Sequence, residues 1–197
     1  MFIIGDCHGR FMDYKRIITN MNCSIQLGDM GIFYKKDLKV IIPTKHRFIR
    51  GNHDNPGLCA NHPNYMGDFG YIEKLKLFFV SGAWSIDQNQ RTIGLDWWPE
   101  EELDVFALDK AILEYKRAKP DIMISHDCPL SMYTEMFGYN NVIKTRTAQA
   151  LQVMLDEHRP SLWFFGHHHV LSRKTVSGCD FRCLDELSTF EISGLTW

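Results

Sequence analysis

The chain has 197 residues, 45% of them hydrophobic and 23% charged, with a formal net charge of -2. That suffices for one domain with a sizeable core and falls short of two comfortable ones. The near-neutral balance excludes a global basic field of the kind that recruits nucleic acid, although a local patch could still do so, and disfavours a dedicated nucleic-acid-binding module.

Residues 1–4 (Met-Phe-Ile-Ile) read as a short buried strand ending in Gly5-Asp6-Cys7-His8-Gly9. An apolar run of that length is too short for a signal-peptide core, and nothing later approaches membrane-spanning length. The six cysteines are scattered without C-x-x-C pairing, which suits reduced thiols better than a disulfide framework. The expectation is a soluble, cytoplasmic protein.

Phe11, Met12, Tyr14, Ile17, Ile18 and Met21 recur near helical spacing, so strand, polar turn and helix open a βα unit. Residues 24–27 give a second strand, ending in Gly28-Asp29-Met30-Gly31, and residues 37–42 a connector that ends in a small strand or helix before Pro43. Arg47-Phe48-Ile49 then leads into Arg50-Gly51-Asn52-His53-Asp54 and a dense turn signal, Asn55-Pro56-Gly57. Such a loop presents an amide, an imidazole and a carboxylate together. Asn52 can offer its carbonyl to a hard cation, and His53 can donate a proton near neutral pH.

Residues 78–80 and 92–95 read as strands flanking Ser81-Gly82-Ala83-Trp84-Ser85-Ile86-Asp87. Pro99 with three acids behind it is a helix start, so a helix is predicted from about 100 to 118. Residues 122–124 form another buried strand, ending in Ser125-His126-Asp127-Cys128-Pro129. A helix follows over 145–158, then a strand over 162–165 that ends in Gly166-His167-His168-His169. Apolar pieces around Phe181, Leu184 and 190–192 read as closing strands.

Five short apolar strands therefore each end in Gly or Ser (after an intervening Arg at 50) followed by Asp, Asn or His. Strands alternating with helices imply a largely buried α/β sheet, in which ligands bind off the carboxyl ends of the strands. All five clusters should meet at one rim. Oxygen and imidazole donors in that number suit divalent Mn, Fe, Zn or Co. They exceed the four ligands of one tetrahedral zinc, and a pair of metals sharing a carboxylate accounts for them better.

The order G-D-x-H-G, G-D, G-N-H-D, H and G-H-x-H, from residue 5 to residue 169, resembles the calcineurin-like metallophosphoesterase superfamily. The resemblance implies a four-layer α/β/β/α sandwich and two divalent ions, Mn foremost, with Fe, Zn, Ni, Co or Mg as further options. It implies that Asp6, His8 and His169 hold the first metal, that Asp29 bridges, and that Asn52, His126 and His167 complete the second. His53 would be catalytic, assisting the leaving group while a hydroxide bridging the metals attacks phosphorus. The implied substrate is a phosphodiester or phosphomonoester of a nucleotide or other small molecule, with nucleic acid entering only as a substrate.

Protein Ser/Thr phosphatases of the superfamily carry G-D-x-V-D-R-G, and Gly28-Asp29-Met30-Gly31-Ile32-Phe33 departs from it. That disfavours a phosphoprotein substrate. The S-H-D-C-P and G-H-H-H pieces are more similar to bacterial and phage phosphodiesterases and to RNA lariat-debranching enzymes. G-A-W-S-I-D with W-W-P-E-E resembles a subgroup of small metallophosphoesterases. A scaffold with the fold and without the chemistry is the remaining alternative, set against by a donor at every ligand position.

Several residues keep two readings. Trp84, Trp97 and Trp98 can stack a base, form a lid or fill a core corner. Asp54 and Asp127 are expected to hydrogen-bond metal-ligating histidines. Arg50 either touches phosphate or is solvated, His46, His62 and His158 are expected at the surface, and Cys7 as a small filler. His168 should point away from its two neighbours if the segment is extended. One domain over 1–197 is expected, with 56–100 the stretch left to shape a substrate pocket.

Overall fold

A computed structural model describes residues 1–37 and 45–197; most of the connector expected at 37–42 lies outside the described residues. The strands are β1 (Phe2–Ile4), β2 (Ser24–Gln26), β3 (His46–Phe48), β4 (Phe69–Ile72), β5 (Leu77–Val80), β6 (Ile122–Ser125), β7 (Leu162–Phe165), β8 (Ser172–Val176), β9 (Cys179–Cys183) and β10 (Thr189–Glu191). The helices are α1 (Phe11–Ile18), α2 (Pro56–Cys59), α3 (Val105–Ala118), α4 (Leu130–Phe137) and α5 (Arg146–Glu157).

Two sheets form, in the orders β10-β1-β2-β3 and β4-β5-β6-β7-β9-β8. Within the first, β1, β2 and β3 run parallel. Within the second, β5, β6, β7 and β9 do so. The outer strands β10, β4 and β8 are antiparallel.

The period-two geometry of a strand divides each apolar run between two cores. Leu77, Phe79, Ile122, Ile124 and Phe164 face Ile3, Ile25 and Ile49 in the layer between the sheets. Their neighbours Phe78, Val80, Met123, Trp163 and Phe165 pack outward against Leu108, Tyr115, Leu151 and Met154 of α3 and α5. On the far side, Ile4 and Phe48 meet Tyr14 and Ile18 of α1. The result is the α/β/β/α sandwich expected from the motifs. Each fully buried side chain of this size contributes roughly 1.5–3 kcal/mol of apolar burial.

Three local expectations are corrected. Residues 92–95 make a turn with an isolated bridge, Ile93 to Trp97, because β4 occupies the edge beside β5 that they would need. The helix expected from 100 begins at Val105, capped by the Asp104 carboxylate accepting from Ala107 N–H. Glu101 and Glu102 break away because each is turned inward. Glu101 accepts from the Ser85 N–H at 2.8 Å and Glu102 from the Thr147 N–H at 2.8 Å. Leu184 lies just past β9 and outside any strand.

Candidate metal centre

Every parallel strand of the first sheet stops in the same place. Asp6 and His8 follow β1, Asp29 follows β2, and Asn52 and His53 follow β3. From the second sheet, His126 follows β6, and His167 and His169 follow β7. All eight residues expected from the sequence are brought to one rim.

Two donor clusters form there. In the first, one atom each of Asp6, His8, Asp29 and His169 lies within 4.8 Å of the others, a group that could hold a metal ion. His8 Nε2 and His169 Nε2 face each other at 2.8 Å, and His169 Nε2 is 3.3 Å from Asp6 Oδ2. In the second, Asn52 Oδ1 is 3.0 Å from both His126 Nε2 and His167 Nδ1. Asp29 belongs to both clusters. Its Oδ2 is 3.7 Å from His8 Nε2, and its Oδ1 is 3.5 Å from His126 Nε2.

The donor set fits divalent cations on three further observations. Asp6 Oδ1 and Asp29 Oδ2 are buried without a hydrogen-bond partner, a costly state for a carboxylate oxygen unless a ligand completes it. Burial disfavours charge on His126, yet the Asp29 carboxylate beside it raises its pKa to about 10. The same pairing, with His126 foremost, holds Asp29 well below the usual carboxylate range against the burial that opposes it. The cluster thus demands positive charge. Finally, the backbone is cut away where the donors approach: a Cβ on Gly51 would collide with Asp29 Oδ1, and one on Gly166 with Asp6 Oδ1.

The surroundings orient the donors. His126 Nδ1 donates to the Leu27 carbonyl at 2.8 Å, which turns Nε2 toward Asn52 and Asp29. Asn52 Nδ2 donates to Ser85 Oγ at 2.8 Å and so aims Oδ1 at the imidazoles. Asp54 does not touch a histidine, contrary to expectation. It accepts from the N–H groups of Met30, Gly31, Ile32 and Gly51, tying the β2 and β3 loops together. Asp127 does meet a histidine, His168, with Oδ1 3.4 Å from Nε2, and accepts from Tyr133 Oη. The segment is not extended, since His167 and His169 have left-handed backbones; His168 packs onto Phe137, with ring centroids 4.3 Å apart, and keeps an edge contact with His167 at 5.2 Å.

His53 is fixed through its backbone, whose N–H donates to Asp29 Oδ1 at 2.8 Å. Arg91 Nη2 lies 2.6 Å from His53 Nε2; guanidinium can only donate, so that nitrogen accepts and the ring is neutral. Burial, with Arg91 adding to it, lowers the His53 pKa. Arg91 escaped the sequence analysis because it belongs to no motif.

The other open readings resolve unevenly. Arg50 is buried, donating to Asp68 and to the Glu101 carbonyl, and is neither solvated nor at the site. His46 and His62 are buried, not superficial: His46 Nδ1 pairs with Ser24 Oγ, and His62 stands edge-on to Phe48. His158 is half-buried and donates to the Pro120 carbonyl. Cys7 is a buried filler whose thiol is pushed up to about 12, by burial first. Trp98 is buried beside Phe33, whereas Trp84 lines a cavity of about 610 Å³ that opens over Asp29, Asn52 and His53.

Two helix-flanked sheets that deliver carboxylates, imidazoles and an amide from parallel strand ends to one rim define the metallophosphoesterase class. The sequence profile of the calcineurin-like phosphoesterases matches residues 1–171. The chain belongs to that family, whose members are metal-dependent phosphoesterases. Phosphopantetheinyl hydrolase from Mycobacterium tuberculosis shares the fold, at 11% identity and a TM-score of 0.52 over 94% of this chain and 89% of that one. A conserved protein of Streptococcus pneumoniae described as a predicted phosphoesterase aligns at 12% identity and a TM-score of 0.41, over 95% and 74%. No curated protein matches the chain. No helix among the described residues is long and apolar enough to cross a membrane.

Proposed function

We propose that this protein is a dinuclear-metal phosphoesterase that hydrolyses a phosphodiester or phosphomonoester of a nucleotide-like or other small molecule. The observation that carries the reading is Asp29, which turns one carboxylate oxygen toward each of two donor clusters. Asp6, His8 and His169 complete the first site, and Asn52, His126 and His167 the second. The mixed carboxylate, imidazole and amide set suits Mn foremost, and Fe, Zn or Co as well. Two such cations, held by these residues, would supply Lewis acidity to a phosphate ester and acidify a water.

The chain's own residues do the rest. Buried Asp6 and Asp29 confine the negative charge to the metal side of the rim. His53 lines the cavity, 5.2 Å from the His8 ring, and with Nε2 held by Arg91 its neutral ring can assist a departing oxygen by hydrogen-bonding through Nδ1–H, stabilising the charge that develops there. Arg91 reaches the Nε2 edge of His53 and stands where an anionic phosphoryl oxygen would be gripped. It supplies a cation that the sequence motifs lack. A scaffold without chemistry is disfavoured, since no donor position is vacant.

The test is hydrolysis of mono- and bis-(p-nitrophenyl) phosphate by metal-stripped protein after adding back Mn, Ni, Zn or Mg. Metal-dependent cleavage of the diester, lost in Asn52→Ala, identifies a phosphodiesterase. Cleavage of the monoester alone identifies a phosphatase. No cleavage with any metal, although two ions bind, returns the scaffold reading.

A further inference from the structure

The cavity over the rim has two chemically distinct sides. One is the donor cluster itself. The other is a wall of Trp84, Ile86, Tyr139, Val142 and Ile143, interrupted by Asn140 and Asn141, none of which carries a formal charge. Ile86 is 81% exposed and Ile143 51% exposed, so both present apolar surface to water beside a polar centre. Such surface stabilises a complex only when an apolar ligand covers it.

Charge bounds the ligand from the other direction. Among the described residues lining this cavity, Arg91 is the only lysine or arginine. Its side chain is 8% exposed and shared with Asp87, Ser85 and His53, with Nη2 2.7 Å from Asp87 Oδ1, which leaves donor capacity for one phosphate oxygen. Each additional phosphate of a polyphosphate or a nucleic-acid backbone needs a cation of its own. Beyond the reacting phosphate this wall offers none, and Asp87 repels a second. The volume, about 610 Å³, exceeds what a bare phosphate fills and falls within the range of pockets for drug-sized ligands.

We infer that the site selects phosphate esters whose negative charge ends at the reacting phosphate and whose organic group is uncharged and aromatic or apolar, seated on Trp84, Ile86 and Ile143 with Arg91 gripping the phosphate. This rests on the phosphoesterase reading and narrows its substrate. Nucleoside triphosphates and oligonucleotides are excluded by the same wall.

Phosphonates test it without turnover, because their C–P bond stays intact. Methyl-, phenyl- and naphthylmethyl-phosphonate would be titrated into manganese-loaded protein, followed by calorimetry and by tryptophan fluorescence. Phenylphosphonate is expected to bind about ten-fold tighter than methylphosphonate, equivalent to about 1.4 kcal/mol, and the naphthyl compound tighter still. Ile143→Ser, and independently Ile86→Ser, which add no charge, should shrink the ratio of phenyl- to methylphosphonate affinity; both positions are exposed, so the fold tolerates the change. Arg91→Ala should weaken all three alike. A flat series in the unaltered protein, or tighter binding of adenosine triphosphate than of phenylphosphonate, overturns the inference and leaves the phosphoesterase reading standing. Failure of methylphosphonate to bind with any metal, together with no cleavage of the chromogenic esters, removes both.

Discussion

Asp6, Asp29 and His126 sit within three residues of the end of a parallel strand and are almost wholly buried. Ile86, Tyr139 and Ile143, across the same cavity, sit on irregular segments and are exposed. The rim is held by main-chain pairing on both sides, by Asp54 stitching two loops together and by Leu27 fixing an imidazole. Among the described residues the wall has only local main-chain bonds, such as Tyr139 to Tyr133 and Thr145 to Ile143, with side-chain bonds such as Arg91 to Asp87. The proposed function places chemistry on the sheet-anchored part and substrate fit on the loops, the division expected when function is carried on a scaffold.

Substitutions separate the two. The largest effect is expected from Asp29→Ala, which removes the oxygens shared by both donor clusters; metal content by mass spectrometry and turnover should vanish together. Retention of one tightly bound ion would mean that the two clusters are independent. His53→Ala should keep the metals and lose turnover by about 10²–10³-fold, the usual span for a lost donor that stabilises developing charge. Equal loss of metal and turnover would make His53 a ligand instead. Gly51→Ala disturbs the donors together with the loop that carries them. Its new Cβ would meet Asp29 Oδ1, the Asp29 main-chain nitrogen and His126 Nε2, so metal affinity should fall about 10–100-fold, as for other disturbances around metal ligands, with a lower melting temperature beside it. The smallest effect concerns the thiols. Cys7 lies inside a rim motif, yet burial pushes its thiol up to about 12, so a thiol reagent at neutral pH should leave it unmodified until denaturant is added.

The same division decided what was legible in the sequence. Rim strands announce themselves because each apolar run stops abruptly at Gly or Ser and a donor, and the order of those stops carries the family. The wall is legible only in part. Trp84 and Ile86 belong to the Gly-Ala-Trp-Ser-Ile-Asp stretch and, with Arg91, fall within 56–100, whereas Tyr139 to Thr145 is irregular and carries no motif. Elements at the sheet edges were missed for a related reason. β8 is Ser-Arg-Lys-Thr-Val, polar because it borders solvent, and β4 contains Gly70. The inward turn of Glu101 and Glu102 could not be anticipated, since three acids after a proline are an ordinary helix start. Their partners, Ser85 and Thr147, are known only from the tertiary structure.

Of the donor residues, His8, Asp29, His167 and His169 all have left-handed backbones, with φ of 47°, 53°, 65° and 49°. Each costs about 1 kcal/mol relative to a relaxed conformation, and glycine would relieve nearly all of it. Glycine at any one of these positions would gain local stability and remove a donor, so the strain and the donor set come together. Strain of this kind gathers where a site is held in place by the structure around it.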